Sequence, residues 1–445
     1  MFWICETEES IERLKKIGGE VFICMTPSHF SYHPKVDQGV VSVYVRPLSK
    51  DSGFILPIQH SEGLNLTKEK VREVLSTFTT KYVVDKKNLL YHFHLDNVVD
   101  LKLVYSMLDY EILELPDPPS TINWYYNRYY GRKDLNSIIP LSKLHERSER
   151  NYRSVKDVIR RSEEVIDTKP WKFYNNISTS VYYLMEQSGL NTDRDRFIEL
   201  FKPNVPEYSM EGSRIFTYYN PYNVTSRPTN AFNSVNFAAI PKKGDHRTTI
   251  IPSKDIFVEF DFDGYHIRLL SELVGEPIKG KSAHTDLAKI YFNTELVTEE
   301  QYNEGKQITF QIVYGKIPDK YKHIPLFSKI GKFIDELWKL YNLEGFIEDP
   351  VSGRKLTKKL KDMHPQKLMN YLMQSLETSR NITILYKVLK YLQNKETKVS
   401  LYTYDSILFD FSKQDGKDTL SDLEEILSEG GKYPVKFRYS DNLVM

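Results

Sequence analysis

Cysteine is almost absent: Cys5 and Cys24 are the only two in 445 residues. Two thiols cannot build a disulfide framework or, on their own, a closed zinc site, and their scarcity fits a reducing intracellular compartment. An excess of one charge is missing too, since 61 lysines and arginines face 60 aspartates and glutamates. Any nucleic-acid surface must therefore be a local concentration of cations on a neutral whole. No uninterrupted apolar stretch approaches the roughly 18 residues of a membrane span. The opening Met1-Phe-Trp-Ile-Cys-Glu-Thr-Glu-Glu lacks the basic segment and apolar run of a signal peptide. The expectation is a soluble, cytoplasmic chain with no membrane partner, in the host cytoplasm or nucleoid if the source is viral. From about residue 211 to the end, no internal repeat or low-complexity tract interrupts the sequence.

What is present is length enough for two or three domains of roughly 150 residues each. Residues 1–162 mix strand-like runs such as Val40-Val-Ser-Val-Tyr-Val45 with helical ones such as Val71–Phe78, an α/β texture. The charged stretch His145–Ser162 has apolar positions too sparse for a core helix and reads as a solvated helix closing that domain. Helical residues from Trp171 to Phe197 lead to a loop-like stretch with Pro203, Pro206 and Gly212. A third region runs from about 211 to the end.

That region carries the chemistry. The apolar run Ile256-Phe-Val-Glu-Phe-Asp261-Phe-Asp263 offers a carboxylate at a strand end, and Asp263 would share its face if the strand continued. In Leu401–Phe411 the alternation resumes on both sides of Tyr404-Asp405-Ser406, the pattern of two strands joined by a tight turn with Asp405 near its tip. Such a turn could aim Asp405 at Asp261. Adjacent carboxylates repel, but paired hard cations roughly 3.5 to 4 Å apart would neutralise them. The bland alternative is that each aspartate caps a strand or the next helix. Between them, Lys306, Phe310 and Tyr314 fall on one helical face at four-residue steps, with Gly315 ending the helix. A cation and two rings in a row suit a nucleotide; packing into a core is the other reading.

In order and spacing, Asp261-Phe-Asp-Gly-Tyr-His-Ile-Arg268, then Lys306-xxx-Phe310-xxx-Tyr314-Gly315, then Tyr404-Asp405-Ser406 resemble motifs A, B and C of the family A DNA polymerases, the DNA polymerase I group. Upstream, Arg214-Ile-Phe-Thr-Tyr-Tyr, Thr225-Ser-Arg227-Pro-Thr-Asn, Asn236–Pro241 and Arg247 are similar to the palm segment leading into motif A. Downstream, Ser282-Ala-His284-Thr, Ser352-Gly-Arg-Lys355 and Asn370-Tyr-Leu-Met-Gln374 resemble the fingers histidine, the turn after the fingers and the helix before motif C.

The resemblance implies an α+β multidomain architecture. A right-hand palm and fingers would span residues 211–445, with fingers at about 272–360. An α/β, ribonuclease H-like domain resembling a 3′–5′ exonuclease would precede it at 1–162, with a linker and reduced thumb at 163–210. It further implies template-directed addition of deoxynucleotides to a primer 3′ end. Asp261, Asp405 and the Phe262 carbonyl would bind two Mg2+ ions, for which Mn2+ can substitute. Lys306 would hold the triphosphate, with Phe310, Tyr314, His266 and His284 as the remaining nucleotide contacts. Arg227, Arg247, Asn370, Gln374 and Tyr404 would touch DNA near the primer terminus. Further phosphate contacts could come from Arg354-Lys355, Lys358-Lys359, Lys361 and Lys367.

The departures from the family pattern are specific. His266 stands where a glutamate normally blocks a ribose 2′-hydroxyl, Tyr302 stands where motif B has arginine, and Ser406 replaces the acidic third residue of motif C. In the first domain, Val21-Phe-Ile-Cys-Met-Thr26 occupies the place of an Asp-x-Glu pair. Val83–Tyr91 only loosely resembles the next motif, Asp100 is a leftover, and Tyr130-Gly-Arg-Lys-Asp134 matches the last motif in spacing alone. The expectation is no proofreading. The near-missing thumb predicts fast dissociation and a processivity or replisome partner, and the reduced architecture suggests a phage or mobile element. An RNA polymerase or primer-synthesising enzyme on the same palm, or a non-catalytic DNA-binding subunit, are the alternatives.

Overall fold

The computed structural model describes residues 3–230 and 235–445. These divide into two units, each with its own core. One comprises residues 3–187, Pro206–Tyr218 and Val235; the other comprises Ser188–Val205, Tyr219–Asn230 and Asn236–Met445. Among the described residues no helix is long and apolar enough to cross a membrane.

The first unit is built on a six-stranded sheet in the order Trp3–Ile4, Phe54–Pro57, Val40–Pro47, Glu20–Pro27, Thr80–Val83, Val98–Asp100. Strands 20–27, 40–47 and 54–57 run antiparallel, and 80–83 and 98–100 run parallel to 20–27. The valine-rich 40–47 strand is buried along its whole length, as a β-branched run covered on both faces should be. The charged helix Leu141–Arg161 corrects the expectation of a wholly solvated element. Leu141, Leu144, Ser148, Asn151, Tyr152, Val155, Val158 and Ile159 form one buried stripe against the sheet. Its small polar members hid the helical period, because Ser148 and Asn151 fill core positions that an apolar count skips.

Asp100 and Asp85 are committed to structure, whereas Asp134 is held only at the surface. Asp100 is fully buried and caps the helix Leu101–Leu108, accepting from the N–H groups of Leu103 at 3.0 Å and Lys86 at 2.9 Å. Asp85 caps Lys86–Leu90 and pairs with Lys102 at 3.2 Å. Asp134 is exposed and forks onto Arg132 at 2.5 and 2.9 Å. Between Glu186 and Arg214 the longest helix among the described residues is Arg194–Phe201.

In the second unit, an antiparallel sheet has the order Lys398–Thr403, Ser406–Phe411, Ile256–Phe262, Val435–Ser440. The 27-residue helix Pro365–Tyr391 contributes Leu368, Leu372, Leu376, Leu385 and Val388 to the core. Tyr265–Leu273 and Pro325–Glu344 pack on it, and Ala283–Phe292 packs on Glu299–Tyr314. The start of Glu299–Tyr314 is fixed by a capping box between Thr298 and Gln301.

Asp100→Ala should lower the unfolding free energy by about 2 kcal/mol, the loss of a cap with two buried donors left unpaired. Asp134→Ala should change it by less than about 0.5 kcal/mol. Urea denaturation of the full chain measures both, and equal effects would contradict the division of roles.

Candidate active site

The site is assembled by strand register. Ile256–Phe262 pairs with Ser406–Phe411 so that Asp261 lies opposite Ser406, the residue after Asp405. Thr403 pairs with Ser406 across the hairpin, which leaves Tyr404 and Asp405 as a two-residue turn. Tyr404 takes φ +62°, the left-handed conformation that such tight hairpin turns demand. The Phe262 N–H donates to the Asp405 carbonyl at 3.0 Å, so the turn is tied to the end of the neighbouring strand. Asp261 and Asp405 thereby face one cavity of about 500 Å³, which Phe262, His266, His284, Lys306, Phe310 and Tyr314 also line.

Both carboxylates are pushed upward in pKa. For Asp261 the causes are burial in the concave site, then the charge of Asp405, then Glu259; Arg438 and Lys306 only partly compensate, and the result is about 6. Asp405 is raised by burial and then by the carboxylate of Glu377. Lys306 projects from the exposed side of its helix, 5.8 Å from the Phe310 ring centroid. Phe310 and Tyr314 are 44% and 40% exposed, with ring centroids 6.0 Å apart. The predicted stripe therefore faces the cavity, not a core.

Asp263 is not a second Asp261. The chain turns at Gly264, at φ +58°, where a Cβ would come within 2.8 Å of the Ala283 Cβ. Asp263 is buried; it accepts from the Ala283 N–H at 2.6 Å and pairs with Arg268 at 3.2 Å and Lys436 at 2.5 Å. Burial works against its charge, but Lys436 and the Ala283 N–H outweigh it and hold the pKa below the usual carboxylate range. Arg268 in turn donates to the carbonyls of Ile278 and Gly280, fixing the loop that enters the next helix.

His284 begins the helix Ala283–Phe292 and meets Tyr302 and Phe310 edge-on at 6.2 and 5.8 Å. Burial, together with Lys306 and Lys436, outweighs Asp263 and depresses its pKa to about 4, so it faces the cavity as a neutral ring at pH 7. Tyr302, in the place of the missing arginine, also lines the cavity.

Of the sequence-predicted DNA contacts, Arg227 lines the cavity, with its guanidinium 3.8 Å above the Tyr404 ring. Asn370 donates to the Tyr314 carbonyl at 3.3 Å, and Gln374 accepts from the Thr225 hydroxyl at 3.3 Å. Arg247 is not among the cavity's lining residues; its guanidinium donates twice to the Ile240 carbonyl. Arg354 drops out of the outer cationic run, because it is 2% exposed and donates to Ser226 at 2.8 Å and to the Asn223 carbonyl. Three charged lining residues escaped the sequence reading: Glu377, Lys436 and Arg438. For the last two the signal was available, two cations at period-2 spacing in a strand-like run.

The antiparallel sheet with its paired carboxylates, the long helix packed beside it and the cation-bearing helix lie within a fold shared with a polymerase POL domain. Over 100% of its length the chain superposes, with a TM-score of 0.69 and 12% identity, on 99% of the POL domain of Pol1 from M. smegmatis, solved in complex with DNA primer-template and dNTP. In sequence it is 24% identical over 257 residues to DNA polymerase I of Synechocystis sp., a match covering 46% of this chain and 26% of that protein. The matched part is thus about a quarter of that relative's length. No protein-family model matches the chain.

A carboxyl group whose folded pKa is raised favours folding while neutral, and that contribution is lost as pH rises through about 6. In divalent-free buffer at about pH 7.5, Asp261→Asn should therefore raise stability on the order of 1 kcal/mol, discounted for solvent screening of a partly exposed group. The gain should vanish below about pH 4. A difference that does not change with pH would contradict the electrostatic origin.

Proposed function

We propose that the chain is a template-directed DNA polymerase, adding deoxynucleotides to a primer 3′ end with the help of two divalent cations, Mg2+ or in its place Mn2+. The observation that carries this reading is the register that sets Asp261 and Asp405 side by side in a cavity whose opposite wall presents Lys306, Phe310 and Tyr314. The donor set fits a hard cation, since both side chains offer carboxylate oxygens whose mutual repulsion a cation would relieve. Among the described residues no group of three or more His, Cys, Asp or Glu forms a ready-made metal cage. Further ligands would come from the Phe262 carbonyl, substrate phosphates and water. Bound cations would supply stabilisation of the attacking and leaving oxygens.

The chain's own residues do the rest. Lys306 neutralises the triphosphate, Phe310 and Tyr314 support sugar and base, and neutral His284 can accept or donate one hydrogen bond at the phosphates. Arg227 and Tyr404 approach the primer terminus from the hairpin side. His266 fills the space beside Tyr314 and favours a sugar without a 2′-hydroxyl. The six-stranded N-terminal sheet, three antiparallel strands flanked by one parallel strand on one side and two on the other, supports an exonuclease-like domain at about 1–162, and the capping roles of Asp100 and Asp85 support the absence of proofreading. The short 163–210 segment supports a thumb too small to grip DNA alone and hence a processivity partner, with the chain working in the cytoplasm or nucleoid.

Primer extension on a primed template with Mg2+ tests this. Extension with dNTPs should fall roughly a thousandfold or more in Asp405→Ala and about 10–100-fold in Lys306→Ala. Mismatched 3′ ends should persist. Extension unchanged in Asp405→Ala would defeat the mechanism, and equal use of ribonucleotides would defeat the sugar preference.

A further inference from the structure

One carboxylate in the cavity has no part in the reaction just described. Glu377 lies midway along Pro365–Tyr391 and is 1% exposed. Its Oε2 stands 3.2 Å from Arg227 Nε and its Oε1 3.2 Å from His266 Nε2. Each of these partners is engaged on its other side. The Arg227 guanidinium covers the Tyr404 ring at 3.8 Å, and His266 Nδ1 lies 2.7 Å from the Tyr314 hydroxyl. Tyr404, Arg227, Glu377, His266 and Tyr314 thus form one continuous row. It joins the hairpin that carries Asp405 to the helix that carries Lys306.

A third acidic group beside Asp261 and Asp405 adds to the repulsion in the site, and a carboxylate this buried is unfavourable unless it is paired. Both of its oxygens face nitrogen groups, so it is placed to hold side chains in position. A carboxylate only accepts, so Oε1 offers His266 Nε2 an acceptor at 3.2 Å, while the Tyr314 hydroxyl lies 2.7 Å from Nδ1 on the other side of the ring. Glu377 and Tyr314 thereby hold the ring between them at its two nitrogens, as an outer carboxylate does for a functional histidine. The contacts have ion-pair distance, yet Glu377 Oε2, Arg227 Nε and His266 Nε2 lack an aligned hydrogen-bond partner in the free chain. The row has room to tighten around a bound substrate.

We propose that Glu377 is a positioning residue for sugar selection. It holds His266, and through it the Tyr314 ring, where a nucleotide's 2′-hydroxyl would have to sit, and it steadies Arg227 over Tyr404 with the same carboxylate. The inference rests on the polymerase reading and extends it to a residue that touches no reacting atom.

The test uses the full chain in single-nucleotide primer extension, comparing kcat/KM for a deoxynucleotide with that for the matching ribonucleotide. The variants are Glu377→Gln, His266→Ala, the two combined, and the reversed pair His266→Glu/Glu377→His. Discrimination should fall about tenfold or more in Glu377→Gln and to a similar extent in His266→Ala. The combined variant should be no worse than the weaker single one, because both act through one element. The reversed pair should recover most of the discrimination, and it carries the test if Glu377→Gln fails to fold. Discrimination unchanged in Glu377→Gln but lost in His266→Ala would overturn the positioning role alone. So would an equal fall for both sugars, the mark of a merely structural residue. A wild-type chain that extends neither nucleotide would overturn the polymerase reading itself, and this inference with it.

Discussion

Two carboxylates share a cavity only where the backbone forces them together, and here the force is antiparallel register. Six consecutive pairs lock Ile256–Asp261 onto Ser406–Phe411. The Phe262 N–H then clamps the Asp405 carbonyl from the strand's last residue. A slip of one residue would turn Asp261 to the opposite face and dissolve the site. The hydrophobic strands on either side, with Phe260 against Phe409 and Phe437, make that slip costly, so core packing sustains an electrostatic arrangement that opposes folding on its own.

The cavity separates two kinds of charge. Asp261 and Asp405 keep their repulsion, which a bound cation would relieve. Asp263 and Glu377 are paired: one ties Arg268, Lys436 and the Ala283 N–H into the turn after the strand, the other bridges Arg227 and His266. The difference between Asp261 and Asp263 comes from Gly264. Its left-handed backbone ends the strand and lets Ala283 approach too closely for any side chain at that position.

Local pattern carried much of this into the sequence. Alternation around Tyr404-Asp405-Ser406 is a hairpin signal that needs no tertiary information, and four-residue spacing puts Lys306, Phe310 and Tyr314 on one face whatever lies opposite. What was hidden depends on which face a helix buries. Glu377 reads as a solvated position in a long helix until packing turns it inward, and Ser148 and Asn151 read as surface although they complete a core stripe. Arg354 sits in a run of exposed cations, but the short hairpin after Pro325–Glu344 folds its guanidinium onto Ser226. Arg247 is spent on a carbonyl seven residues upstream. Such long side chains choose their partners after the backbone is in place, so linear spacing does not reveal them.

We propose that strand register makes the Asp261–Asp405 pair a divalent-cation site. Calorimetric titration of the full chain with Mn2+, in the absence of nucleotide and DNA, tests it most directly. Binding should weaken as the solution is acidified through about pH 6, where protons compete for Asp261. That binding should be lost in Asp261→Asn and Asp405→Asn alike. Mn2+ binding of undiminished affinity in both variants would contradict it.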